Sequence, residues 1–126
     1  MDIKYTKATE HGYKYELTET YKVRVPIKEG DVLSDYVRIK PRGFMIIKAG
    51  YAWDGPSGPT IDTLNFMRGS LVHDALYQLI REGKLDTKYR KVADKLLRDI
   101  CREDGMSKLR STIVYWAVRI FGGLCI

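Results

Sequence analysis

The sequence predicts an α+β fold: a small antiparallel β-sheet in the N-terminal half, packed with three C-terminal α-helices. Three observations carry that expectation. In the first half, Tyr, Val, Thr and Ile alternate with polar residues, the period of half-buried strands. In the second half, apolar residues recur every third or fourth position, the period of helices. The chain has 126 residues, enough for one core and few for two. Strands followed by helices then read as one α+β domain over 1–126.

Strands are expected over 13–17, 21–27, 36–39 and 44–48. Pro26 ends the second strand or confines it to an edge, because proline has no amide proton for the ladder. Pro41-Arg42-Gly43 is the best hairpin signal in the chain, since proline presets the turn and glycine accepts positive φ. Residues 51–63, YAWDGPSGPTIDT, read as loop. Helices are expected over about 64–82, 87–104 and 108–121. They stop at Gly83, at Gly105 and at Gly122-Gly123. Asp62 or Thr63 is placed to cap the first helix, and Ser107 the third.

Lysine and arginine number 22 against 16 acidic residues, a net charge of +6, and 44% of residues are hydrophobic. That balance excludes collagen, low complexity and wholesale disorder. Cys101 and Cys125 lie in no CxxC or CxxH arrangement and read as buried or idle thiols in a reducing compartment. The N-terminus, MDIKYTKATE, shows no secretory pattern. The longest apolar run, 112–126 with Arg119 inside it, is shorter than the ~20 residues of a bilayer span, so no transmembrane span is expected.

The first helix has one apolar stripe, Leu71, Val72, Ala75, Leu76 and Leu79. Its far side stacks Ser70, His73, Asp74, Tyr77 and Arg81 in a row. His73 lies about 125° around the helix from the centre of the stripe. Such groups transfer protons, bind metals or hold anions; the plainer reading is a solvated face with a chance His–Asp pair. The loop before the helix holds Tyr51, Trp53, Asp54, Gly55, Ser57 and Pro59. Folded back over the row, it would bring Asp54 to His73 or Asp74. Otherwise Trp53 plugs the core and Asp54 satisfies backbone amides. In the second helix, Val92, Ala93, Leu96, Leu97 and Ile100 form the core face, and Lys91, Lys95, Arg98 and Arg102 a basic stripe expected to be solvated. Asp94 borders the core face; it either pairs with Arg90 or Arg98 four residues away, or points across at His73 and Asp74. The third helix is apolar nearly all round, so it is central in the core or buries a second face in a partner or at a membrane surface.

Trp53-Asp54-Gly55, Ser57 and Pro59, then His73-Asp74 and Leu76-Tyr77, then Asp94, resemble an uncharacterised phage and prophage family, a domain of unknown function. The pattern is a WDG-x-S-x-P loop, an HD-x-LY helix and an aspartate in the next helix, over about residues 36–122. The resemblance implies a phage or prophage origin, and action in the cytoplasm of a bacterial host or on the virion. It implies no activity.

Two functions compete. In one, the chain is a small hydrolase. His73, Asp74, Asp54, Tyr77 and Ser57 are the candidate catalytic groups, and one divalent metal is held by His73, Asp54 and Asp94. The HD pair does not extend to the His-rich phosphohydrolase pattern, because His11 is the only other histidine. In the other, the chain is a non-enzymatic phage structural or host-interaction module. The Trp53, Gly55 and Pro59 loop and the HD row then lock loop to helix as a polar network. Its partner is a phage or host protein, or a second copy met through helix 108–121. The hydrolase is placed slightly ahead for the mix of groups in the row. Specific nucleic-acid recognition is ranked last, since only the net charge of +5 over 64–126 supports it.

Overall fold

The computed structural model describes residues 3–7, 14–55 and 63–126. The chain divides into two compact units, Met1–Gly55 and Pro56–Ile126.

Among the described residues, the first unit holds seven short strands: β1 Tyr5–Lys7, β2 Tyr15–Leu17, β3 Tyr21–Arg24, β4 Val32–Leu33, β5 Val37–Lys40, β6 Phe44–Ile47 and β7 Ala52–Trp53. They form two antiparallel sheets, where the sequence suggested one: β1-β2-β7 and β3-β6-β5-β4. The four expected strands are present, three with trimmed ends and the 36–39 strand shifted by one residue to 37–40. Tyr13 lies outside the described residues. Three strands escaped the sequence reading. β1 and β4 are two or three residues long, too short for a period to register, and β7 lies inside the stretch read as loop.

Alternation works as the pleat requires: Val37 and Ile39 of β5 and Met45 and Ile47 of β6 are buried, and their neighbours are not. Val37 stands opposite Ile47 and Ile39 opposite Met45, so one apolar face is continuous across the pair. β3 is an edge strand that stops two residues before Pro26, as the missing amide proton requires. Pro41–Gly43 makes the tight turn between β5 and β6. Gly43 takes positive φ at 82°, as expected, and Arg42 before it also takes it at 71°. Trp53 is 1% exposed. Its ring meets those of Tyr15 and Tyr5 at 5.7 and 5.8 Å, which anchors β7 to the small sheet. The loop reading therefore fails at 52–53, while its core-plug alternative for Trp53 holds.

The second unit holds α1 Leu64–Arg81, α2 Arg90–Glu103 and α3 Lys108–Phe121. α2 starts later than the spacing suggested, because Thr87–Tyr89 forms a single 3-10 turn first. Gly83 and Gly105 end α1 and α2 with φ of 73° and 100°. After each, the next residue's amide reaches back five residues: Lys84 N–H to Leu79 O at 2.9 Å and Met106 N–H to Cys101 O at 2.9 Å. These bonds satisfy helix-end carbonyls that would otherwise lack a donor. The Ser107 hydroxyl accepts from the Arg110 amide and caps α3 as expected. Asp62 lies outside the described residues, and the Thr63 side chain does not cap α1. Phe66, Leu97, Cys101, Met106 and Val114 form a shared apolar cluster. Arg68, buried on α1, grips Asp104 at the end of α2 through Nε and Nη2 at 3.0 Å each.

The expected stripe of α1 is in the core: Leu71, Val72, Ala75, Leu76 and Leu79 are all fully buried. On α2, Ala93, Leu97 and Ile100 are buried, while Val92 and Leu96 are half-buried. α3 is not central in the core, the first of its two alternatives. Ser111, Val114 and Tyr115 face inward, whereas Leu109, Ile113, Trp116, Ile120 and Phe121 are exposed.

Candidate functional site

His73 and Tyr77 are four residues apart on α1, so they share one face, with ring centroids 4.1 Å apart. That face is not solvated, contrary to one sequence reading. Ser70, His73 and Tyr77 are buried, Asp74 is half-buried, and only Arg81 of the row is exposed. The reason is α2, which lays Asp94 against the row. Asp94 has 0% exposure.

Three donors replace the water that Asp94 has lost. His73 Nε2 lies 2.7 Å from Oδ1, the Tyr77 hydroxyl donates to Oδ1 at 2.6 Å, and Arg119 Nη1 donates to Oδ2 at 2.8 Å. Arg90, the first residue of α2, donates from Nε to the Tyr77 oxygen at 3.2 Å. Its Nη2 donates to the carbonyls of Val118 and Arg119 at 2.9 and 2.7 Å. Those carbonyls lie in the last turn of α3, where a cation is favoured, and the Val118 oxygen also accepts from the Gly122 amide. Five side chains thus tie α1, α2 and α3 together. Among the described residues, no buried side-chain nitrogen or oxygen lacks a partner.

The electrostatics follow from this placement. Burial works to raise the Asp94 pKa, but His73, Tyr77 and Arg119 outweigh it and hold the carboxyl below its ordinary 3.8. Burial works to lower the His73 pKa, but the carboxylates of Asp74 and Asp94 prevail and raise it above 6.5. The Asp74 carboxylate stands 3.7 Å from His73 Nδ1, an ion-pair distance rather than a hydrogen bond. Tyr77 is pushed upward by burial and by Asp94, so its hydroxyl stays a neutral donor. Cys101 is buried and its thiol is pushed up to about 12 by burial, the inert thiol expected. The side chain of Cys125 lies outside the described residues.

Of the predicted site residues, the structure gathers His73, Asp74, Tyr77 and Asp94 in the second unit. Asp54 is exposed and Gly55 buried at the end of the first unit. Ser57, Pro59 and His11 lie outside the described residues. Asp94 takes the across-helix alternative and not a local pair: Arg90 goes to Tyr77 and α3, and Arg98 pairs with Asp99 at 2.9 Å. The basic stripe is only half solvated. Lys91 and Lys95 are exposed, whereas Arg98 lies over the Tyr115 ring and Arg102 donates to Ser111 and Thr112. Sequence reasoning missed the roles of Arg90 and Arg119. A usable signal was present: Arg119 is the one charge in an apolar run, and Asp94 the one acid bordering an apolar face. Opposite charges so placed need each other.

As to metal, among the described residues no group of three or more His, Cys, Asp and Glu side chains could hold an ion. The geometry explains it. His73 Nε2 and Asp94 Oδ1 point at each other, so they share no open vertex where a cation would sit.

By fold and site this is an α+β protein with a buried ionic clamp across three helices. The chain belongs to the family of proteins of unknown function DUF1353, which it matches over residues 31–118. That stretch includes His73, Tyr77, Arg90 and Asp94, and ends one residue before Arg119. No curated protein and no solved structure matches the chain.

Proposed function

We propose that the chain is a non-catalytic interaction module of phage or prophage origin, working in a bacterial host cell or on the virion. His73, Tyr77, Asp94, Arg90 and Arg119 are then the bolt that fixes its helices. One observation carries this reading: Asp94 is wholly buried and both its oxygens accept hydrogen bonds. A general base needs a free lone pair that a substrate can reach, and Asp94 has no exposed surface. His73 has Nε2 on Asp94 and Nδ1 toward Asp74, and its raised pKa favours the imidazolium, which has none. This reverses the order of the two readings, because the row that favoured the hydrolase is mostly interior.

The hydrolase keeps one observation in its favour: the Asp74 carboxyl is 34% exposed beside the imidazole. The deciding variant is His73→Asn, melted beside wild type with and without Mg2+, Mn2+ or Zn2+, and assayed on nitrophenyl ester and phosphoester probes. Each buried partner left unmet costs about 1–3 kcal/mol. The module predicts a large loss of stability, equal with and without metal, and no hydrolysis in either protein. A nearly unchanged melting temperature, together with loss of hydrolysis or of a metal-dependent stabilisation, would establish the hydrolase instead.

A further inference from the structure

We propose that the exposed face of α3 docks on an anionic phospholipid membrane, lying flat in the headgroup layer. This goes beyond the non-catalytic reading and stands or falls separately from the role of His73.

Among the described residues, α3 has two apolar faces and only one is packed. Ser111, Val114 and Tyr115 pack inward. On the outer side Ile113 is 60% exposed, Trp116 56%, Ile120 66% and Phe121 63%, and Leu109 and Leu124 extend the patch at both ends. Exposed large apolar residues scattered singly need no explanation, but a contiguous set along one helix marks an interaction site. The Arg90 bonds to the last carbonyls of α3 hold this face in place, so docking requires no folding step.

Charge identifies the occupant. From Gly105 to Ile126 the sequence contains no aspartate or glutamate; Lys108 is exposed there, while Arg119 is committed to Asp94 and Arg110 to Thr63 and the Phe66 ring. Beside α3 runs the basic stripe of α2. Arg102 reaches Ser111 and Thr112, and Arg98 covers Tyr115, so the two helices are antiparallel along this edge. Continuing that register sets Lys95 and Lys91, both exposed, alongside the C-terminal turns of α3. Asp99 is already engaged by Arg98. An apolar face with Trp and Phe, flanked by lysines and free of acids, matches a helix lying in an anionic interface. Trp116 suits the headgroup level, where an indole has both apolar and hydrogen-bonding surroundings. A second copy of the chain would bring another acid-free face and supply no countercharge. Spanning is a different matter: among the described residues, no helix is long and apolar enough to cross a membrane.

The test is partition of the purified full chain between buffer and vesicles of phosphatidylglycerol mixed with phosphatidylcholine, against pure phosphatidylcholine. Trp53 is buried from the outset, so a blue shift in emission reports Trp116. The expected result is a blue shift and cosedimentation with the anionic vesicles, weakening as salt is added. Trp116→Ser with Ile120→Ser should reduce partition about tenfold or more. Lys91→Glu with Lys95→Glu should reduce it roughly tenfold. Lys91 and Lys95 are exposed, so their variant should melt with wild type; Trp116→Ser with Ile120→Ser also loses the edge contact with Tyr115 and should melt slightly lower but cooperatively. No partition of the wild type into anionic vesicles at low salt overturns the proposal. So does equal partition into neutral vesicles. So does a dimer in sedimentation that Trp116→Ser with Ile120→Ser dissolves and anionic vesicles do not compete away, because the face is then occupied by a second copy.

Discussion

A carboxylate without exposed surface stays ionised only when donors replace its lost water. Asp94 has three such donors, on two other helices, and each loses its acceptor if the charge goes. Removing one member of a buried ionic set leaves the rest uncompensated, which costs about 3–5 kcal/mol. Asp94→Asn should therefore lower unfolding free energy in urea by that order. Tyr77→Phe should cost less, about 1–3 kcal/mol, because Asp94 keeps His73 and Arg119, while Arg90 Nε loses the phenol oxygen as an acceptor. Equal effects of the two substitutions would show that the charge of Asp94 is not what matters. At this scale much of the site was legible in the residue types. His73, Tyr77 and Asp94 stood out because an imidazole, a phenol and a carboxylate are unusual neighbours of an apolar stripe. Their burial was not legible, because the angular position of His73 describes one helix alone and says nothing of the helix that covers it.

Helices were easier to read than strands, for a physical reason. Each of α1, α2 and α3 repeats its apolar period for several turns and ends on a residue with its own backbone chemistry, such as Gly83 or Gly105. β4 and β7 are two residues long, so no alternation can register; β4 exists through pairing with the adjacent β5, and β7 through pairing with the distant β2. The split into two sheets is likewise a matter of long-range pairing. Helix packing leaves a clearer mark at Gly69. A Cβ there would stand 2.8 Å from Cys101 Sγ and 3.2 Å from the Leu97 carbonyl oxygen. The close approach of α1 to α2 thus depends on the missing side chain. Gly69→Ala should destabilise by about 1–3 kcal/mol through overpacking, even though alanine is the better helix former. Cys101→Ala in the same chain should recover part of the loss by removing the nearer obstacle, a non-additivity expected of touching residues. Thermal melts of the two single variants and the double variant measure it; strict additivity would place the strain elsewhere.

For the molecule as a whole, stability against pH sets two electrostatic accounts against each other. The net charge of +6 implies mutual repulsion that eases as pH rises, so on that basis stability should climb through neutrality. The clamp implies the opposite sign above pH 6.5. His73 has its pKa raised by Asp74 and Asp94 against the effect of burial. Its contribution is complete below the ordinary 6.5 and is lost as pH climbs through the raised value in the folded state. Asp94 has its pKa lowered by His73, Tyr77 and Arg119, so its contribution is complete above 3.8 and is lost as pH falls through the depressed value. Both contributions are whole only between 3.8 and 6.5, which places the optimum on the acid side of neutrality. Melting temperatures taken from about pH 3 to pH 9 should fall on both sides of that window. His73→Asn should be less stable throughout the window and should lose the alkaline decline, because asparagine carries no proton to release. Added salt separates the two accounts further, since it screens the diffuse surface repulsion and leaves a buried pair nearly untouched. A wild-type curve that rises steadily through pH 7, with His73→Asn parallel to it, would mean that surface charge governs and that the imidazole is neutral in the fold.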